Sequence, residues 1–250
     1  MDRRVFMKQM LTSVTSFALM DALFAYNAIN PKIKPIIDHW ALRLHEYCLD
    51  LDKQQLTPEQ WQQKIEELFN RIPLQELLEF ISFQKLIKGF EFPELGVDTK
   101  KVFFPKLTGL PEKTIFIKKI FGMKKDRAII PHGHSNMASA HLLLQGEMHL
   151  RHYERIHQEE NSLIIKPTID KIIKSGDSSS ISDDKNNIHW FIAKTPMAFT
   201  FDVIMINLNK KAYDIHNLDM EESIALHNGT LKVPILDVAT ALKKYGKHHH

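Results

Sequence analysis

The chain has 250 residues, 33 of them basic and 30 acidic, for a formal net charge of +3. With 44% hydrophobic and 25% charged residues it has an ordinary globular composition, able to bury the core of one decorated domain or two small ones. That balance, with no basic stripe interleaved with aromatics, argues against a nucleic-acid partner. Cys48 is the only cysteine, which excludes an intrachain disulfide and a thiolate-rich zinc site.

Residues 1–28 read as an address. Arg3 and Arg4 are followed by Phe6, Lys8 and a modestly apolar run from Met10 to Met20, shorter than the roughly 20 apolar residues of a membrane-spanning helix. The segment resembles a twin-arginine export signal. It departs from that pattern at Asp2, where Ser or Thr is usual, and in offering Ala22 and Ala25 in place of an Ala-x-Ala cleavage site. The resemblance implies export of the folded protein to the periplasm, with the twin-arginine machinery as a partner. The alternative is an amphipathic N-terminal helix on a cytoplasmic protein.

Residues 29–94 form a helical segment. Ile36, Ile37, Trp40, Leu44, Tyr47, Cys48 and Leu51 recur at helical spacing. In "LTPEQW", Thr57 can cap a helix, Pro58 suits its first turn and Gln60 completes a capping box. Trp61, Ile65, Leu68 and Phe69 then form the apolar stripe. A third helix is expected from about Pro73 to Leu86. Cys48 lies on the first stripe and reads as core.

From about residue 95 to 210 short β-type runs replace the helical pattern. They are "TIFIKKIF" (114–121), "RAII" (127–130), "ASAHLLLQ" (138–145), "MHLRHYERI" (148–156), "TIDKII" (168–173), "IHWFIA" (188–193) and "AFTFDVIMINL" (198–208). "SGDSSSISDDKNN" (175–187) reads as a polar loop apart from Ile181. Such a series predicts a sandwich or barrel, and the fold class is α+β, a helical segment followed by a β-barrel. Residues 211–250 add a strand, "LKVPIL", and a short helix that Asp237 can cap. The closing His248, His249 and His250 read as a tag remnant and are set aside.

Residues 129–156 hold five of the remaining eleven histidines. On a strand, His132 and His134 point to the same face and can present two imidazoles to one point. Gly146 can turn one strand into the next.

Here the chain resembles the cupin superfamily, whose barrels carry a His-x-His pair, an acidic residue and a glycine turn. His132, His134 and Gly146 match in kind and spacing. The acid does not, because Ala138 and Ser139 stand where it belongs. The second cupin motif is followed by Gly176, Asp177 and His189, with a longer polar loop in place of its proline-glycine turn. The resemblance covers about residues 95–210 and implies a jelly-roll barrel holding one divalent transition metal on His132, His134 and His189. Three neutral imidazoles suit borderline metals and leave positions open. Fe(II) is favoured, with Cu, Ni, Mn or Zn as alternatives.

His141 shares the parity of Ser139. It can be a fourth ligand, a catalytic base orienting water, or a backbone-bonded core residue. On the strand after Gly146, the simplest reading turns Met148, Leu150 and His152 to the core, and His149, Arg151 and Tyr153 to solvent. The sharper one puts Arg151 and Tyr153 in the cavity to bind a substrate carboxylate.

The leading function is thus a metal-dependent oxygenase acting on a small organic molecule, anionic if the extra histidine makes the site more positive. The alternatives are a non-enzymatic binding cupin and a metal-dependent isomerase or hydrolase. A homodimer stays open as the assembly.

Overall fold

The computed structural model describes residues 37–247. The export-signal reading of Arg3, Arg4, Phe6 and Lys8 lies outside the described residues. No helix among those described is long and apolar enough to cross a membrane.

Helix α1 (Ile37–Asp52) buries Trp40, Leu44, Cys48 and Leu51, the expected stripe. Helix α2 (Pro58–Arg71) opens on the expected capping box: the Gln60 amide donates to Thr57 Oγ1 at 3.2 Å and the Thr57 amide to Gln60 Oε1 at 2.9 Å. The third expected helix is two, α3 (Leu74–Phe80) and α4 (Phe83–Ile87). Ser82 breaks it, in the left-handed region at φ 54°. That break turns Phe83 into the core, where it meets Phe199 edge-on at 5.5 Å.

Among the described residues twelve strands follow: β1 (Asp98–Lys101), β2 (Ile117–Lys124), β3 (Ala128–Ser135), β4 (Met137–Gln145), β5 (Glu147–Gln158), β6 (Ser162–Lys174), β7 (Ser178–Ser182), β8 (Ile188–Ala193), β9 (Met197–Ile206), β10 (Asp214–Leu218), β11 (Ile224–Ala225) and β12 (Leu231–Leu236), then helix α5 (Val238–Tyr245). One sheet has the order β1-β2-β9-β4-β7 and the other β10-β3-β8-β5-β6-β12-β11. All pairings are antiparallel. From β2 to β9 the chain crosses between sheets at every step except the β5–β6 hairpin. This gives two four-stranded layers, β2-β9-β4-β7 and β3-β8-β5-β6, the order of a jelly roll.

Strand β4 explains why its sequence is apolar on both parities. Met137, Ser139, His141 and Leu143 face the barrel interior. Ala138, Ala140, Leu142 and Leu144 face outward into one core with Trp40, Trp61, Ile65 and Phe69 of the helices. The small alanines let the helices approach closely.

The polar stretch 175–187 is not all loop, because Ser178–Ser182 is β7. Its outward hydroxyls are satisfied by α2: Ser182 Oγ donates to Gln62 Oε1 at 2.6 Å, and Ser180 Oγ donates to Glu66 Oε1. Burial of a serine-rich strand is tolerated because a helix supplies the acceptors. The expected strand 168–173 also runs longer, to the 13 residues of β6.

Candidate metal centre

Strand β3 carries the His-x-His pair, and a β-bulge sets its aim. Its register to β8 shifts between Ile129 and His132. The extra residue reverses the parity, so Ile129, His132 and His134 all face the interior while Ala128 and Ile130 pack outward against Trp190 and Ile192. Pro131 at this point has no amide hydrogen to lose from the ladder. Gly133 is needed between the histidines, since a Cβ there would stand 2.9 Å from Asn187 Oδ1. Asn187 in turn holds β3 in place. Its Nδ2 donates to the carbonyls of His134 (2.8 Å) and Ser182 (3.1 Å), and the His134 amide donates to its Oδ1 at 3.3 Å.

His189 of β8 lies opposite His132 in register. His189 Nε2 is 3.0 Å from His132 Nε2 and 3.3 Å from His134 Nε2. The ligand atoms of the three histidines all lie within 4.8 Å of one another.

Their protonation can be argued from neighbours. The Ile130 carbonyl only accepts, so His132 Nδ1, 2.7 Å away, carries the ring proton. Burial pushes the His132 pKa down to about 4, and a neutral ring then presents a bare lone pair at Nε2. Burial, and then the other imidazoles, hold His134 and His189 well below the ordinary value. A ring proton shared at His189 Nε2 serves its contacts with His132 and His134 only in part. A single cation satisfies all three Nε2 atoms, and this fits the donor set to a borderline divalent metal.

His141 lines the same cavity, its ring 4.8 Å from that of His189. Its Nδ1 lies 2.7 Å from Asp202 Oδ2, both groups buried. A carboxylate that accepts at Nδ1 orients the ring and, in its neutral form, leaves Nε2 bare. His141 Nε2 is buried and has no hydrogen-bond partner among the described residues.

The cavity measures about 240 Å³. Beyond the histidines its walls are largely apolar, with Phe121 and Ile129 on opposite sheets and Ile204, Ile206 and Ile215 among the rest. Lys119 and Asp202 are the charged side chains that line it.

Arg151 and Tyr153 are not brought to this cavity. They line a separate pocket with Trp190 on the outer side of the seven-stranded sheet. There Arg151 stacks on the Trp190 ring at 4.7 Å and pairs with Asp170 at 3.3 Å. Simple alternation explains this, since His152 on the opposite parity points inward.

Three contributors have no site role in the sequence, His152 being expected there only to face the core. Asp202 carried a signal, as the one charge inside the apolar run "AFTFDVIMINL". His152 is fully buried across from His189, and neither ring nitrogen has a partner among the described residues. Asn187 sits in a polar stretch, where nothing local marks it.

No protein-family profile and no curated protein matches this sequence. Among solved structures, procruciferin, the 11S globulin of Brassica napus, is similar at 11% identity and a TM-score of 0.32, over 41% of this chain and 22% of that one. The chain thus spans about a fifth of the length of that globulin. KdgF from Halomonas sp. is similar at 13% identity and a TM-score of 0.32, over 47% of this chain and 86% of that one. A cupin superfamily protein from Desulfitobacterium hafniense DCB-2 is similar at 12% identity and a TM-score of 0.30, over 47% and 84%. The fold assignment rests on the strand order.

Proposed function

We propose that this chain is a metal-dependent cupin, a mononuclear oxygenase for a small organic substrate. The observation that carries the reading is the convergence of three Nε2 atoms, from half-buried His132 and buried His134 and His189, inside a jelly-roll cavity. These residues would hold one divalent transition metal; an imidazole set suits Fe, Cu, Ni and Zn alike, and it is the cupin resemblance that favours Fe(II). Bound there, iron would supply the redox chemistry by which dioxygen reacts with an organic molecule.

The chain's own residues do the rest. Asp202 orients His141 so that its Nε2 can take a proton from the substrate within the cavity. Phe191 packs edge-on against the rings of His141 and His189 and holds their orientation. Ile130's carbonyl keeps His132 in the ligating tautomer. Export through the twin-arginine route belongs to the same reading and is supported by Arg3, Arg4, Phe6 and Lys8.

An oxygen electrode tests it on iron-reconstituted protein lacking the terminal histidines, with a panel of small organic substrates. Substrate-dependent oxygen uptake is expected. His141→Ala should keep the metal and slow uptake by about 10²–10⁴-fold, the scale of lost general-base catalysis. Full metal with no uptake on any substrate contradicts the oxygenase and leaves a binding module.

A further inference from the structure

The five-stranded sheet arranges its inward side chains in rows. Lys119 of β2 is in register with Asp202 of β9, and Asp202 with His141 of β4. One row therefore runs Lys119, Asp202, His141 across the inner face beside the three-histidine cluster. The adjacent row is Ile117, Ile204 and Ser139, and beyond it Ile206 pairs with Met137. Ile215, from β10 on the other sheet, also lines the cavity and is 43% exposed, so it stands where the cavity meets solvent. The cavity is thus polar at one level and apolar at the next.

Lys119 is the cation in that row. It is half-buried and forms no ion pair among the described residues. Asp202 does not neutralise it directly, because no oxygen of Asp202 lies within 4.0 Å of its ammonium, while Oδ2 is held by His141 at 2.7 Å. An ammonium partly removed from water gains most from an anion that completes a charge-assisted hydrogen bond.

We infer that the cavity takes a small, largely apolar monocarboxylate, its carboxylate held by Lys119 beside the histidine cluster and its hydrocarbon part against Ile117, Ile204, Ile206 and Ile215. This rests on the proposed function, since it names the substrate class of that site. The size agrees: about 240 Å³ is less than the roughly 300–1,000 Å³ of pockets for drug-sized ligands. The chemistry favours a carboxylate over a phosphate. Phosphate sites draw on several donors, such as arginine forks or a nest of backbone amides, and here a single ammonium faces isoleucine walls.

Calorimetric titration of metal-loaded protein with hexanoate, hexanamide and succinate tests the inference, with metal content measured on the same samples. Hexanoate should bind more tightly than both the neutral amide and the dianion. Lys119→Met, which keeps the apolar stem, should weaken hexanoate by about tenfold or more and leave hexanamide and metal content unchanged. Lys119→Arg should retain hexanoate within about threefold, and it keeps the question answerable if the methionine variant folds poorly. Equal hexanoate affinity in wild type and Lys119→Met overturns the inference, as does a wild type that does not prefer hexanoate to hexanamide. Full metal without hexanoate binding overturns the carboxylate site and leaves the metal centre standing. Lys119-dependent hexanoate binding without metal does the reverse.

Discussion

Replacing His152 by Leu should make the metal-free protein more resistant to acid. His152 is fully buried, and neither of its ring nitrogens has a partner among the described residues. Burial, with smaller contributions from His141 and Lys171, pushes its pKa down to about 3 from an ordinary 6.5. In the unfolded chain the ring takes up a proton as pH falls through about 6.5, and in the folded chain it does not. The unfolded state then binds more protons, so stability is intact above about 6.5 and is lost as pH falls toward the folded value. The slope is about 1.4 kcal/mol per pH unit for this one group. From pH 6.5 to 4.5 His152 alone therefore removes about 3 kcal/mol of a total that is roughly 5–15 kcal/mol for such domains. Leucine has similar volume, does not titrate and leaves no unpaired polar atoms. It should add about 1–3 kcal/mol at pH 7.5. Urea denaturation of metal-free wild type and His152→Leu at pH 7.5 and 4.5 measures both effects. The drop between the two pH values should be about 3 kcal/mol smaller in the variant. Equal drops would refute the claim that a buried neutral imidazole at this position governs acid stability.

Asn187→Ala removes the three hydrogen bonds that hold His134 and Ser182. It should destabilise the fold by about 2–4 kcal/mol and weaken metal binding about 10–100-fold, as loss of a supporting hydrogen bond does. Thermal unfolding and a metal titration check this; unchanged metal affinity would remove Asn187 from the site. Changing Arg3 and Arg4 together to Lys should block export and leave folded protein in the cytoplasm, as fractionation would show. Equal periplasmic recovery would count against a twin-arginine route. Arg151→Ala should leave metal content and oxygen uptake unchanged within about twofold, because Arg151 lies on the outer side of the sheet with Trp190 and Asp170.

Local signals were legible in the sequence. The capping box at Thr57 and Gln60 involves residues three apart, and the stripe of Trp40, Leu44, Cys48 and Leu51 repeats every turn. The His-x-His spacing and the histidine after the polar stretch likewise marked the residues that converge. Features set by distant partners were not legible. The bulge that turns Ile129 and His132 to one face leaves no mark beyond Pro131. Strand β7 reads as loop because the acceptors for its serines, Gln62 and Glu66, lie more than 110 residues earlier. The carboxylate missing beside the His-x-His pair belongs by spacing to β4, whereas the acid that touches His141 stands on β9. The break at Ser82 follows from where Phe83 must pack, which helical periodicity alone does not reveal.

The proposed chemistry requires that His132, His134 and His189 hold one metal ion. Elemental analysis of protein freed of His248, His249 and His250 measures that most directly, for wild type and for His189→Ala. One divalent transition metal per chain in the wild type, and its near-complete loss in His189→Ala, is the expected result, because two remaining imidazoles hold such an ion poorly. A full equivalent of metal in His189→Ala would contradict it.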